Sequence, residues 1–291
     1  MRWLKENAEK WFEYVVGDTP LLLTFSHAGR QLVTNISGVR ADPKLNDCGF
    51  NNSLNDSRTR EVAESILHYM DWHGLRPYMI VPQVSRRDVD LNRSWKHNQT
   101  GYTTGSVSQM AQNTAQIIYD GYYNQIQSCI NDIRSRFSPS DSDRALLIDI
   151  HGVSLPDDVD IEIGTRQGKS ADPAIAYTNT SDKITLIDAL TTQGFILRAD
   201  AATAKEPFGG CEVLRANGQT AGGLHALQLE LSSRLRGSEE DSDEEMRVFA
   251  RQTGVRLALA FENFLLTNKY SVLQQPLATT NNEDIFAAIM L

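Results

Sequence analysis

The stretch that decides the fold is LLIDIHG at residues 146–152, an apolar run that leads directly to His151. Two more runs are built in the same way: LLLTFSHAG at 21–29 leads to His27, and LHALQLELS carries Glu230. Continuous apolar runs of this length are typical of strands buried in a sheet. Ligands bind beyond the ends of such strands in open α/β sheets, in the crevice that the loops form. Together the three runs predict a hydrolytic zinc site.

The composition fits an ordinary soluble globular protein. The 291 residues are 41% hydrophobic and 22% charged, and no Pro/Ser-rich linker or change of composition marks a boundary. We therefore expect a single zinc-hydrolase-like domain over residues 1–291, with a weakly patterned C-terminal tail from about residue 268. The net charge of −9 argues against nucleic acid as a partner, because a phosphate backbone needs a basic surface. The oligomeric state stays open.

The N-terminal segment predicts an amphipathic helix. In MRWLKENAEKWFEYVVGD the apolar residues Trp3, Leu4, Trp11, Phe12 and Val15 recur at helix-like spacing, and charges interrupt any signal-peptide core. No apolar stretch approaches the roughly 18–20 residues that span a membrane. We therefore expect a cytoplasmic protein that has no membrane partner. The three cysteines include no CxxC pair, so they favour neither a disulfide scaffold nor a cysteine zinc site.

Strands and helices alternate along the chain. The predicted strands are 21–25, 78–81, 146–150, 159–163, 195–198 and 224–231. The predicted helices are 58–72, 106–137, 182–190 and 244–266. This order predicts an α/β fold with a mostly parallel or mixed central sheet and helices on both faces.

The two long helices have expected apolar sides. In the helix at 106–137 the apolar positions are Met110, Ile117, Ile126, Ile130 and Ile133. In the last helix they include Val248, Val255, Leu259 and Phe264. Before the last helix stands an acidic run, which favours a solvated helix entry stabilised by the helix dipole: Glu239, Glu240, Asp241, Asp243, Glu244 and Glu245.

His27 and His151 are the natural imidazole ligands, because a catalytic zinc takes three protein ligands and leaves one place for water. Considered alone, either histidine is explained by a structural role, as a hydrogen-bonded residue at a strand end. The third ligand is less obvious. Asp56, at the start of a helix, reads first as an N-cap from local sequence. His225 is expected to be a structural histidine that faces elsewhere.

A buried carboxylate at Glu230 needs a partner or a cleft, since an unpaired one is costly. It is either a salt-bridged structural residue or a base that takes a proton from water and delivers it to a leaving amine. The segment VSRRDVDLNRSW offers Arg86, Arg87, Asn92 and Arg93 to hold a substrate carboxylate. Alternatively it is a solvated polar loop, which we expect for at least one of the two adjacent arginines.

Six pieces of the sequence carry a family resemblance. They are SHAG at 26–29, DSRTREVA at 56–63, SRRDVDLNR at 85–93, IDIHG at 148–152, PFGGCEVLRANG at 207–218 and ALQLELS at 226–232. Each is weak alone, but VDLNR, IDIHG and LQLEL in this order are fairly specific. The chain resembles the N-formylglutamate amidohydrolase family, which is related in fold to the zinc carboxypeptidases.

The resemblance implies a zinc-carboxypeptidase-like, phosphorylase/hydrolase-like fold and one Zn²⁺ per chain, and it implies roles for the residues above. The zinc ligands would be His27, Asp56 and His151, which replaces the N-cap interpretation of Asp56. Glu230 would be the general base. The substrate-binding residues would be Arg86, Asn92, Arg93, Gly209 and Gly210. Asp149 would support His151 from the same face of its strand.

The resulting hypothesis is a zinc-dependent amidohydrolase that acts on a small N-acyl, N-formyl-type amino acid or a similar carboxylated amide. Two alternatives remain: a carboxypeptidase-like metallopeptidase, and a non-catalytic carboxylate-binding protein on the same scaffold. Carboxypeptidases use a His-x-x-Glu pair, whereas Arg30 stands three residues after His27. This departure favours the amidohydrolase. The ligand set also suits other first-row ions.

Overall fold

Strands and helices alternate along most of the chain, as the sequence predicts. The computed structural model describes residues 11–33, 56–105, 107–172, 175, 183–199, 210–237 and 242–273. The strands are β1 (Phe12–Val15), β2 (Leu21–Thr24), β3 (Tyr78–Pro82), β4 (Leu146–Val153), β5 (Ile161–Gly164), β6 (Leu197–Ala199) and β7 (His225–Ser232). The helices are α1 (Thr59–Trp72), α2 (Trp95–Thr104), α3 (Gln109–Arg136), α4 (Pro139–Ser142), α5 (Leu186–Thr192), α6 (Glu212–Asn217) and α7 (Asp243–Thr267).

These strands form one mixed sheet in the order β1–β3–β2–β4–β7–β5–β6. The four strands β3, β2, β4 and β7 run parallel, whereas β1 is antiparallel to β3, and β5 is antiparallel to β7. The α/β class with a mixed sheet is thereby confirmed. Because β2, β4 and β7 are parallel, their carboxyl ends lie at one edge of the sheet. His27, His151 and Glu230 therefore reach the same edge.

Helices cover both faces of the sheet. On one face, Leu23, Ile148 and Leu229 belong to an apolar cluster with residues of α1, α5 and α7. On the other face, Leu22 and Leu147 belong to a cluster with residues of α3. The two clusters bury the sheet on both sides, as its continuous apolar runs predict.

The face that α3 covers changes from apolar to polar toward the strand ends. Alternation places Asp149 and His151 of β4 on the same face as Leu147. In the register of β4 and β7, Asp149 pairs with Gln228, and His151 pairs with Glu230. Side chains paired in this way lie on the same face, so the register itself assembles a polar cluster where the apolar core ends.

The predicted N-terminal helix is wrong over the residues that can be compared. Phe12–Val15 forms β1, which pairs antiparallel with residues 79–82 of β3. Trp3 and Leu4 lie outside the described residues. The segment FEYV contains aromatic and β-branched residues, which favour strands. Pairing with β3 provides hydrogen bonds for the backbone of this segment. The helix-like spacing of its apolar residues does not outweigh these bonds.

The helix predicted at 106–137 is shorter than expected, and α2 precedes it as a separate helix. The buried side of α3 consists of Ala111, Ala115, Ile118, Tyr119, Tyr122, Ile126, Cys129, Ile130 and Ile133. Met110 and Ile117 are 70% and 68% exposed, which corrects two of the predicted apolar positions. The prediction followed the aliphatic residues, whereas alanines and tyrosines complete the buried stripe.

The last helix, α7, begins at a capping box in which Ser242 and Glu245 bond each other reciprocally. Asp243, Glu244 and Glu245 occupy its first turn, as the acidic run predicts. The other three acidic residues of the run, 239–241, lie outside the described ranges. The negative charges are favoured there by the positive end of the helix dipole.

The buried side of α7 differs from the predicted one. It consists of Ala250, Thr253, Gly254, Leu257, Ala258, Ala260, Phe261, Phe264 and Leu265. Of the predicted positions, Phe264 is buried, Val248 is 39% exposed, and Val255 and Leu259 are partly buried. Small residues let α7 approach α1 closely, and hydrophobic spacing alone does not reveal such a face. No helix in the described ranges combines the length and apolarity of a membrane span.

Replacing Gly254 by Ala is expected to lower the free energy of unfolding by about 1–2 kcal/mol. A Cβ there would lie 2.6 Å from the Cβ of Ser65 and 2.7 Å from the carbonyl oxygen of Val62. Overpacking costs roughly 1–3 kcal/mol, more than the approximately 1 kcal/mol that alanine gains in a helix. Urea unfolding measures the difference. The exposed Gln252→Ala on the same helix serves as the control, and an unchanged or more stable Gly254→Ala protein would contradict the close approach.

Candidate metal centre

Three side chains from separate segments converge at the polar edge of the sheet. His27 lies after β2, Asp56 precedes α1, and His151 lies in β4. One ligand atom of each lies within 4.8 Å of the other two. The Oδ2 atom of Asp56 is 2.9 Å from Nδ1 of His151 and 3.5 Å from Nδ1 of His27. All three side chains are buried, and the structure brings together all three predicted ligands.

The far side of each imidazole contacts a second carboxylate. Nε2 of His27 lies 2.8 Å from Oδ1 of Asp90, and Nε2 of His151 lies 2.7 Å from Oδ2 of Asp149. Bonds of this kind fix the orientation of a histidine ring and make its other nitrogen a better metal ligand. The two Nδ1 atoms therefore face Asp56, and the expected contact between Asp149 and His151 is present.

The donor set fits a divalent first-row ion. Two imidazole nitrogens and one carboxylate oxygen are a ligand combination of catalytic zinc sites. Nδ1 of His27 is buried and has no hydrogen-bond partner among the described residues. A buried polar atom that lacks a partner is unusual and calls for an explanation such as an ion. An ion held by His27, Asp56 and His151 would provide that partner.

Neighbouring charges keep Asp56 and Asp90 ionised. Burial alone would raise the pKa of Asp56, but the positive charge of His27 and the hydrogen bond from His151 outweigh it and hold the pKa well below its usual range. Burial likewise opposes the ionisation of Asp90, and Arg86 together with His27 lowers the pKa of Asp90 well below the usual value. The centre therefore presents negative charge to a cation.

Backbone contacts place the side chain of Asp56 in the centre. Its N–H donates to the carbonyl of His27 at 3.2 Å, and its Oδ2 accepts from the N–H of Gly152 at 3.0 Å. The N-cap interpretation from local sequence is wrong. The N-cap of α1 is Arg58, whose φ is 61° and whose side chain makes no capping bond. The carboxylate of Asp56 is thus committed to His151 and Gly152.

Glu230 lies next to His151 in the sheet, on the same face. Its Oε1 accepts a hydrogen bond from Nε2 of Gln228 at 2.6 Å. Burial raises the pKa of Glu230, the positive charge of His151 opposes this, and the negative charge of Asp56 adds to it. The net pKa is raised, and a carboxylate with a raised pKa is better matched to proton transfer near neutral pH.

Of the two adjacent arginines, Arg86 is buried at the centre and Arg87 is exposed. Nε of Arg86 donates to Oδ2 of Asp90 at 3.0 Å, and its Nη1 lies 3.8 Å from Oδ1 of Asp56. Burial would lower the pKa of Arg86, but Asp90 and Asp56 raise it. Arg86 therefore stays charged beside a candidate metal ligand.

Asn92 and Arg93 are buried next to the same centre. Nδ2 of Asn92 lies 3.1 Å from Nε2 of His151, and its Oδ1 accepts from the N–H of Val213 at 3.1 Å. Nη1 of Arg93 donates to the carbonyl of Asn92 at 3.2 Å and lies 3.3 Å from Sγ of Cys211. Their role toward a substrate carboxylate stays a prediction.

Gly209 lies outside the described residues, and Gly210 has a φ of 89° that favours glycine. The next residue, Cys211, donates its N–H to Oε1 of Gln228 at 3.1 Å, which ties this loop to the strand that carries Glu230. Cys211 is also disulfide-bonded, which the spacing of the cysteines does not predict. Substrate binding by the two glycines stays a prediction.

His225 faces away from this centre, as predicted. Its Nδ1 accepts from the N–H of Asp172 at 3.0 Å, and its Nε2 lies 2.8 Å from the carbonyl oxygen of Asp143. Burial lowers the pKa of His225, which keeps the ring neutral. At the start of β7, it is a structural histidine.

Sequence reasoning missed two polar residues of the centre, Asp90 and Gln228. Asp90 lies in the VDLNR motif that drew attention for its other residues, and its neighbour His27 is distant in sequence. Gln228 lies two residues before Glu230, so strand alternation alone would have placed it beside that carboxylate. It connects three parts of the centre, because it bonds Glu230, the N–H of Cys211 and the amide of Asn92.

The comparisons with known proteins give one family and a set of similar folds. The profile of the N-formylglutamate amidohydrolase family matches residues 19–236. A gene product from Agrobacterium tumefaciens is similar in structure, with a TM-score of 0.55 and 14% identity over 90% of this chain and 99% of that chain. N-formylglutamate amidohydrolase from Ralstonia eutropha gives a TM-score of 0.52 and 14% identity over 86% of this chain and 98% of that chain. A metallo-carboxypeptidase from Burkholderia cenocepacia gives a TM-score of 0.42 and 12% identity over 85% of this chain and 57% of that chain. No curated protein matches the sequence.

Replacing Asp90 by Asn is expected to weaken zinc binding about 10- to 100-fold, the usual cost of removing a carboxylate that orients a metal-binding histidine. The amide no longer carries the charge that fixes the ring of His27. Competition with a chromogenic chelator measures the dissociation constant.

The matched control is Glu262→Gln, which alters a second carboxylate–histidine pair. Oε1 of Glu262 lies 2.9 Å from Nδ1 of His73, beyond the C-terminal end of α1. Zinc affinity of this variant should stay within about twofold of the wild type. Equal affinities for Asp90→Asn and the wild type would show that Asp90 does not support a ligand.

Proposed function

The chain belongs to the N-formylglutamate amidohydrolase family, whose profile matches residues 19–236, and we propose that it cleaves a small N-acyl, N-formyl-type amino acid with the help of zinc. Membership of this family makes the chain a hydrolase of non-peptide amide bonds. The single observation that supports zinc is the convergence of two Nδ1 atoms and one carboxylate within 4.8 Å. The substrate class rests on the buried arginines beside this centre.

In this proposal His27, Asp56 and His151 hold the ion. A zinc ion bound in such a site supplies a Lewis acid that polarises the amide carbonyl and lowers the pKa of a water molecule. Asp90 and Asp149 keep the two rings in the tautomer that presents Nδ1. The negative charge of Asp56 adds to the electrostatic attraction for a divalent cation, and the ion would relieve the lack of a partner at Nδ1 of His27.

Glu230 acts as the general base. Its carboxylate takes one proton from the attacking water as the new C–O bond forms, and it delivers that proton to the departing nitrogen as the C–N bond breaks. The second proton of the water also passes to the amine as the acid ionises, so the products are a carboxylate and a protonated amine. The raised pKa of Glu230 supports this role, because a base must also release the proton within one turnover. Gln228 holds the carboxylate in place through its hydrogen bond of 2.6 Å.

The substrate carboxylate is held by Arg93 and Asn92, and Arg86 assists in binding or stabilises the oxyanion. Both arginines are buried, and a guanidinium in such a place binds a carboxylate more strongly than one in water. Two buried guanidinium groups would give an acidic substrate local positive partners in a chain of net charge −9. Gly209 and Gly210 would contribute to binding the same substrate.

The test is an activity screen on metal-free protein reconstituted with zinc or cobalt. Formylated and acetylated acidic amino acids are compared with their neutral analogues and with short peptides that have a free C-terminus. The proposal predicts turnover of N-acyl amino acids with about one equivalent of metal per chain. Preferential release of C-terminal residues from the peptides would replace it with a peptidase.

Replacing Glu230 by Gln is expected to lower kcat by roughly 10²–10⁴, the range for loss of a general base. Zinc stoichiometry should stay the same, because Glu230 is not one of the three ligands. Steady-state kinetics and metal analysis of the same preparation check both statements. A variant that keeps both its zinc and near-normal turnover would rule out the base.

Replacing Arg93 by Ala is expected to raise KM for acidic substrates at least about tenfold, the effect of losing a charged hydrogen bond. Substrates without that carboxylate should be affected much less. The ratio of kcat/KM for matched acidic and neutral N-formyl amino acids measures the effect. Arg87→Ala, at an exposed position in the same segment, is the control. An equal loss for both substrates would contradict carboxylate binding by Arg93.

A further inference from the structure

Arg236, which sequence reasoning did not single out, is buried directly behind the candidate metal centre. It follows β7 after one short 3₁₀ turn, Ser233–Leu235. The residue is 4% exposed. Its guanidinium makes hydrogen bonds to three segments that are far apart in the sequence, and each of these segments carries a residue of the centre.

The acceptors of these bonds are backbone oxygens and one hydroxyl. Nε donates to the carbonyl of Leu231 at 3.2 Å, and Nη2 donates to the carbonyl of Val153 at 3.3 Å. Nη1 donates to the carbonyl of Ser57 and, at 3.0 Å, to its hydroxyl. Leu231 follows Glu230, Val153 is two residues after His151, and Ser57 follows Asp56. One side chain thus joins the backbone next to two candidate ligands and the candidate base.

Gly152 makes room for this guanidinium. A Cβ at Gly152 would lie 2.6 Å from Nε and 2.6 Å from Nη1 of Arg236, closer than such atoms ever approach. The N–H of the same glycine donates to Oδ2 of Asp56 at 3.0 Å. The backbone beside His151 is therefore held between Asp56 on one side and Arg236 on the other.

The charge of Arg236 has no carboxylate in direct contact among the described residues, which is costly for a buried cation. Burial lowers its pKa, and the negative charges of Asp56 and Glu230 act in the opposite direction. A buried cation that meets only carbonyls and one hydroxyl is not explained by the packing of apolar groups. Its bonds are explained if they fix the relative position of the three segments.

We propose that Arg236 is a positioning residue that locks the backbone around Asp56, His151 and Glu230, so that the two ligands and the base keep their geometry for the metal. The proposal rests on the metal centre of the proposed function, but not on the identity of the substrate. Arg236 acts through the backbone of these segments and itself touches neither metal nor substrate.

The experiment measures zinc and cobalt dissociation constants by chelator competition for the wild type and four variants. Arg236→Met and Arg236→Lys remove the bridge, meaning the guanidinium hydrogen bonds to Leu231, Val153 and Ser57. Gly152→Ala displaces the guanidinium while keeping its charge. Arg234→Met is the matched control: Arg234 lies in the same turn but bonds Asp160 at 2.8 Å and is 40% exposed. Thermal unfolding of the metal-free proteins is recorded alongside.

All three variants at the bridge are expected to bind both metals about 10- to 100-fold more weakly than the wild type, as for other residues that support ligands. Arg234→Met should stay within about twofold. Lysine should not rescue, because one ammonium cannot reach three separate acceptors as a planar guanidinium does. For a substrate that the wild type turns over, Arg236→Lys should lower kcat and change KM less than about threefold.

Wild-type metal affinity in folded Arg236→Lys and Gly152→Ala proteins would overturn the proposal, whatever their stability. A fall in unfolding temperature without a change in metal affinity would likewise contradict the proposal, since it would show that Arg236 stabilises the fold and does not position the ligands. Failure of the wild type to hydrolyse N-acyl amino acids would instead remove the proposed substrate, and the metal comparison would still decide the role of Arg236.

Discussion

The two carboxylate–imidazole bonds, from Asp90 to His27 and from Asp149 to His151, are the constraint on which the rest of the centre depends. Each occupies Nε2 of its ring at 2.8 Å or less and so turns Nδ1 toward Asp56. Without them two buried rings would have other low-energy orientations and tautomers. With them, three donors from distant parts of the chain face one point, where the proposed metal ion would bind.

The sheet fixes the second of these bonds, because Asp149 and His151 both lie in β4. Register alone sets Asp149 beside Gln228 and His151 beside Glu230, and the polar pairs come directly after the apolar residues that pack against α3. A slip of one residue would move the polar groups into the opposite apolar cluster, at a large desolvation cost. The fold and the centre are therefore specified by the same register, and neither is expected to vary without the other.

Much of the fold was predictable from the sequence, because apolar runs bounded by turn residues identify buried strands. The run at 146–152 is confirmed as β4, and the helix at 58–72 is confirmed as α1 with its ends shifted by one residue at most. The first strand was not predictable, since pairing with β3 decides it. The buried faces of α3 and α7 were only partly predictable, because small residues and tyrosines in them carry weak hydrophobic signals.

Within the candidate site, strand ends predicted the two histidines and Glu230, and the family resemblance was needed to recognise Asp56 as more than a helix cap. Asp90 and Arg236 depend on contacts between distant segments, which local pattern does not contain. Crystals grown with zinc and measured at the zinc absorption edge test the account most directly. It predicts one anomalous peak about 2.0–2.2 Å from Nδ1 of His27, Nδ1 of His151 and the carboxylate of Asp56. A peak bound by the Nε2 atoms or by other residues would contradict it.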